Sequence, residues 1–181
     1  FLRANAGALG LNPDRLIAAG MSAGAHMACI LGVSSDHAQL NGELGEHLEE
    51  STEVMGVLAL YPPTDFLSVR KDFDGLLDYY AEDSPVTQLL GESITSAPEK
   101  SNLASPLRRF TGACPPTLFL HGEADPIVPV EQSVILHETL LAAGVDSDLM
   151  RLAGYTHGDH RFNRGAPAER INAYLKNRAT A

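Results

Sequence analysis

Residues 12–28, NPDRLIAAGMSAGAHMA, leave a chain little conformational freedom. The LNPD break leads into an apolar run, RLIAA, which ends at a serine set between two glycines, and small residues follow at once. The pattern predicts a short buried strand from Arg15 to Ala19 and a helix from about Ala23 to Leu31. Ala23, Gly24, Ala25 and Ala28 let that helix pack closely. A strand that turns into a helix within so few residues begins a βα unit, and such units join with right-handed crossovers into a mainly parallel sheet.

The remaining chain continues the alternation. EVMGVLALY (53–61) is a second apolar run, stopped by Pro62 and Pro63; PTLFLHG (116–122) is a third strand, and SDLMRLA (147–153) alternates as a fourth. Helices are expected over residues 1–9, over 130–144 with Val134, Ile135, Leu140 and Leu141 on the apolar side, and over 166–179. Residues 34–50 form a polar connection that is expected to hold a helix around 38–50. From about 65 to 107 the regularity fades, and the stretch is too long for a simple connection. It is expected to be a cap or lid, with Tyr79, Tyr80 and Phe66 either lining a pocket or packing within the cap.

At 181 residues the chain suits one α/β domain with a sizeable core. Its net charge of −10 argues against a nucleic-acid surface and against binding anionic lipid by charge. No apolar run approaches the length of a membrane span. Two cysteines, Cys29 and Cys114, cannot build a disulfide framework; they are expected to be free, buried thiols, with a single bridge between them the lesser alternative.

Parallel sheets place their chemistry at the carboxyl ends of the strands. Gly20-Met21-Ser22-Ala23-Gly24 fits G-x-S-x-G with a strand before and a helix after, the context in which a sharp turn holds the serine hydroxyl proud of the sheet. The glycines at 20 and 24 remove side chains where strand and helix nearly touch. The Ala23 N–H, at the start of the helix, is aimed at a developing oxyanion. Read blandly, the same stretch is a glycine-rich turn with an incidental serine.

A serine hydroxyl needs a base and an orienting acid. Of seven histidines, His26 lies on the packed helix and reads as a structural hydrogen-bonder. His37, His47 and His137 read as surface residues, and His121 as a packed neighbour of the HGEAD loop. His157 and His160, in GYTHGDHRF, follow the last strand in a loop. His157 is favoured, coming sooner after the strand between Gly154 and Gly158. A metal site on His157 and His160 lacks further ligands. Asp125, after the third strand, is the candidate acid in the chain order Ser, Asp, His. It also fits a plain turn aspartate before Pro126. Asp65 is the reserve.

The chain resembles the α/β-hydrolase superfamily, in the esterase branch near hormone-sensitive-lipase-like, BD-FAE-like and prolyl-oligopeptidase-type enzymes. The resemblance runs through NPDRLIAAGMSAGAHMA, LALYPPTDF, ASPLRRF, PPTLFLHGEADPIVPVEQS and GYTHGDHRF, in that order. It implies Ser22 as nucleophile, Asp125 as orienting acid and His157 as base, acting on a small-molecule ester without a cofactor. The alternatives are a prolyl-oligopeptidase-type peptidase and a non-catalytic scaffold of the same fold. The family's glycine-rich oxyanion loop ahead of the nucleophile has no counterpart here. The expectation is therefore a carboxyl-terminal portion of the domain, beginning mid-domain, with the first strand's open edge pairing with an amino-terminal segment or a second copy.

Overall fold

The computed structural model describes residues 1–34, 40, 42–69 and 73–180. Four strands form one parallel sheet: β1 (Ile17–Met21), β2 (Gly56–Leu60), β3 (Thr117–Gly122) and β4 (Ser147–Leu152), side by side in chain order. The register is unbroken, with Ile17 opposite Gly56, Met21 opposite Leu60, Val57 opposite Thr117 and Gly122 opposite Leu152. Because every pairing is parallel, all four carboxyl ends lie along one edge of the sheet. β1 is an outer strand among the described residues.

The period of two along each strand sorts its side chains between two layers. Val57, Ala59 and Phe119 point to one face, where they meet Ala25, Ala28 and Cys29 of α2 (Ala23–Val33) and Leu136 and Leu140 of a later helix, Glu131–Ala142. Leu58, Leu60, Leu118 and Leu120 point to the other face, against Phe162 and the Ile171, Tyr174 and Leu175 side chains of the closing helix, Gly165–Thr180. Covered on both faces, β2 and β3 are buried at every position, which is why their sequences are almost continuously apolar. Full burial of a side chain such as Phe119 stabilises the fold by about 1.5–3 kcal/mol.

Between β2 and β3 the chain forms three short helices, α3 (Pro85–Leu90), α4 (Pro98–Leu103) and α5 (Pro106–Arg109), each with proline at the start, where its missing N–H is no loss. Ser84 caps α3 by accepting the Thr87 N–H at 3.0 Å. This segment has its own apolar cluster of Phe66, Val69, Tyr79, Val86, Leu90 and Ile94. Phe66 and Tyr79 are interior residues of it, and the Tyr79 hydroxyl donates to the Ile127 carbonyl at 3.0 Å. Tyr80 donates to the Val69 carbonyl at 2.9 Å. These three rings therefore pack the segment together.

In chain order the remaining helices are α1 (Ala6–Leu9), α6 (Glu131–Ala142) and α7 (Gly165–Thr180), with a 3₁₀ turn at His160–Asn163. Several boundaries differ from the sequence pattern. β1 runs two residues later than expected, since its ladder to β2 continues through Gly20 and Met21. The helix expected around 38–50 falls partly on residues outside those described; residues 42–50 are turns and bends. Cys29 and Cys114 are free thiols, buried and half-buried respectively, and burial pushes both pKa values up. Among the described residues no helix is long and apolar enough to cross a membrane.

Candidate active site

Ser22 sits between the last residue of β1 and the first of α2, with φ 53° and ψ −122°. A serine held there stores strain on the order of 1–3 kcal/mol. Two bonds hold it: its N–H donates to the Leu60 carbonyl at 2.9 Å, and its carbonyl accepts the His26 N–H at 3.0 Å. The serine thus ends the sheet ladder and begins the helix. Gly20 is required by contact, because a Cβ there would lie 2.3 Å from the carbonyl carbon and oxygen of Gly24 and 2.6 Å from the Ala25 nitrogen. At Gly24 a Cβ would meet nothing within 4 Å, so the two framing glycines are not equivalent as the motif suggested. Ala23, exposed at the first helical position, carries one of the N–H groups that helix geometry leaves without an intrahelical partner.

The loops after β3 and β4 are locked together. A Cβ on Gly122 would come within 2.2 Å of the Tyr155 carbonyl oxygen, so this glycine permits the approach. The Glu123 N–H donates to Leu152 and the Ala124 N–H to Tyr155, each at 3.0 Å. The contact brings Asp125 to His157, with Oδ2 at 2.7 Å from Nδ1. On the far side of the ring, Nε2 lies 2.8 Å from the Ser22 hydroxyl oxygen, bridging 135 positions of sequence.

Charge fixes the direction of these bonds. Burial opposes ionisation of Asp125, but hydrogen bonds from His121, His157 and the Val128 and Ile127 N–H groups outweigh it and hold the carboxyl well below the usual range. The ionised carboxylate only accepts, so Nδ1 of His157 carries the proton and Nε2 presents a lone pair to the Ser22 O–H. Such an arrangement can draw a proton from the serine as its oxygen attacks.

The other candidates lie elsewhere. His160 has 75% of its side chain exposed and stands 3.7 Å from Asp159. Asp65 is bound to Arg108, with Oδ1 2.6 Å from Nε and Oδ2 3.0 Å from Nη2. His26 meets the Ala104 carbonyl at 2.7 Å, the structural role expected of it, and burial lowers its pKa against that bond. His47 is half-buried, and so is His137, whose Nδ1 lies 2.9 Å from Ser147; neither is the plain surface residue expected. His37 falls outside the described residues. Among those described, no three potential metal ligands gather.

Two features of the site escaped the sequence pattern. Tyr61, with φ 44°, sets its ring edge-on to His157, centroids 4.7 Å apart. Arg161 closes the loop that carries His157: it donates to the Gly154 carbonyl at 2.7 Å, pairs with Asp159 and lies 4.1 Å above the Tyr155 ring. The only sequence signals are their places, one directly after β2 and one just before the last helix.

Comparison with known proteins gives a consistent picture. The BD-FAE family model matches residues 1–140. Esterase LipC of Mycobacterium tuberculosis is 30% identical over 161 residues, covering 87% of this chain and 38% of its own. The chain spans about two fifths of the length of the curated relatives it matches. A truncated carbohydrate esterase from gut microbiota superposes with a TM-score of 0.86 at 24% identity, covering 99% of this chain and 65% of its own. Thermogutta terrifontis esterase 2, phosphoramylated by tabun, gives 0.70 at 22% identity, covering 97% and 60%. These likenesses identify the fold as that of the α/β-hydrolases, and by the extent of the family match the chain belongs to the BD-FAE family.

Proposed function

We propose that the protein hydrolyses carboxylic esters through an acyl-enzyme on Ser22, with His157 as general base and Asp125 as its orienting acid. The observation that carries this reading is the continuous hydrogen-bonded chain from Asp125 through His157 to a serine on a strained elbow. Ser22 attacks the ester carbonyl as His157 Nε2 takes its proton, and the Asp125 carboxylate stabilises the imidazolium that forms. The Ala23 N–H donates to the oxyanion, in the field of the α2 amino terminus. His157 then returns the proton to the departing alcohol. Water, activated by the same imidazole, cleaves the acyl-enzyme and restores the serine.

The esterase names of the sequence relatives support ester substrates for this chain. The segment between β2 and β3, tied to the Asp125 loop by the Tyr79 bond to the Ile127 carbonyl, is proposed as a cap that sets acyl or alcohol preference. No step calls for a cofactor or metal. The test is turnover of p-nitrophenyl acetate by the full-length protein and its Ser22→Ala variant. Loss of a triad member lowers turnover on the order of 10⁴-fold or more. Retained turnover in Ser22→Ala would refute the mechanism, and cleavage of a prolyl-aminoacyl amide with no ester turnover would make the protein a peptidase.

A further inference from the structure

We infer that His121 is a positioning residue that anchors the Asp125 carboxylate to the body of the fold; the inference rests on the reading of Asp125 as the acid partner of His157. The two oxygens of Asp125 are held in different ways. Oδ1 accepts the N–H groups of Ile127 and Val128 at 2.8 and 2.9 Å, both from its own loop. Those bonds fix the carboxylate relative to the loop and travel with it. Oδ2, the oxygen facing His157, lies 3.4 Å from Nε2 of His121, and His121 belongs to β3.

The His121 ring is itself immobilised. It is fully buried, with Nε2 2.9 Å from the Val128 carbonyl and Nδ1 2.7 Å from the Ser133 hydroxyl. The carbonyl and the carboxylate only accept, so Nε2 carries a hydrogen that it shares between Val128 and Asp125. Ser133, fully buried on α6, holds the opposite nitrogen. One side chain thereby ties the acid loop, the carboxylate, the sheet and α6 together. Tyr61 packs beside both imidazoles, 4.7 Å from His157 and 6.4 Å from His121, and limits tilting of either ring. A buried group with such partners is costly to leave unpaired, which holds its tautomer and orientation together.

The prediction separates positioning from mere packing. His121→Leu keeps an apolar filling but removes the donor to Oδ2. In the full-length protein it should lower kcat by roughly 10- to 100-fold, the scale of a misplacement of about 1 Å, and leave KM within about twofold. His121→Gln, whose amide N–H can take the place of Nε2, should recover most of that loss. Ser133→Ala keeps the ring, frees Nδ1, and should lower kcat in the same direction by a smaller factor. On the unaltered protein, a long-range ¹⁵N–¹H spectrum must show His121 protonated at Nε2.

Full kcat in folded His121→Leu, or Gln no better than Leu, would overturn the inference. So would an Nδ1–H tautomer, or wild-type kcat in Ser133→Ala should the Leu variant fail to fold. Asp125→Asn separates the role of the acid from that of its anchor. If it retains turnover, the reading of Asp125 as the acid fails and takes the anchor with it. If it is inactive while His121→Leu is fully active, only the anchoring role of His121 is wrong.

Discussion

Gly20→Ala and Gly24→Ala change the same motif by one methyl each, and the structure assigns them opposite outcomes. At position 20 the new Cβ would lie 2.3 Å from backbone carbon and oxygen of residue 24, about 1 Å short of ordinary contact. The obstructing atoms are helix backbone, so no side chain can swing aside, and strand and helix must separate at the elbow. Overpacking of this kind costs about 1–3 kcal/mol, and at an elbow with no slack the upper end applies. Ser22 moves with the helix, and a displacement of about 1 Å lowers turnover on the order of 10²-fold. At position 24 the methyl meets nothing within 4 Å and the backbone is not in the left-handed region. Alanine there should raise stability by about 0.4–1 kcal/mol by restricting the unfolded chain. The assay is urea denaturation of a soluble protein containing residues 1–181, with p-nitrophenyl ester turnover measured on the same preparations. Equal destabilisation by the two substitutions, or an active Gly20→Ala, would refute the steric account of the elbow.

His157→Ala should be nearly as damaging as Ser22→Ala, while His160→Ala, a change at an exposed side chain, should keep most activity; steady-state turnover decides, and the reverse ranking would move the base to His160. Asp125→Asn should lower kcat far more than Asp65→Asn, because Asp65 serves Arg108; comparable losses would leave the acid unassigned. The folded Asp125 pKa is depressed, so its contribution to stability is complete above the ordinary aspartate value of about 4 and is lost as pH falls through the folded value. Urea midpoints should therefore drop below about pH 4, and the Asp125→Asn protein should show a shallower fall. An identical acid profile for the two would contradict that linkage.

The sheet was legible because its two inner strands are apolar at nearly every position and are bounded by Gly and Pro. β1 was harder to delimit, because Gly20 reads as the turn although its backbone still pairs with Ala59. The helices between β2 and β3 are four to six residues long, too short to establish a 3.6-residue period. Their proline-led starts, Ser84-Pro85, Ala97-Pro98 and Ser105-Pro106, were the available sign. Ser22, Asp125 and His157 each follow a strand, and the rule that parallel sheets work at their carboxyl ends singles out such positions. His121 and Tyr61 also lie at strand ends; the HGEAD context marks His121 as packed against its loop, and it is buried there, yet nothing local names Ser133 as its partner. That partner lies on α6, which reaches His121 only after the chain has folded. The inequivalence of Gly20 and Gly24 is likewise a matter of which backbone lies opposite, and spacing cannot report it.

Ser22, as a nucleophile activated by His157, should be open to covalent trapping. The full-length protein is treated with a fluorophosphonate, digested, and the adduct located by mass spectrometry. One adduct per chain on the peptide containing Ser22 is predicted, absent in Ser22→Ala and formed at least about 10²-fold more slowly in His157→Ala, the scale of losing a general base. An unlabelled protein, an adduct on another residue, or undiminished labelling of Ser22 without His157 would contradict the account.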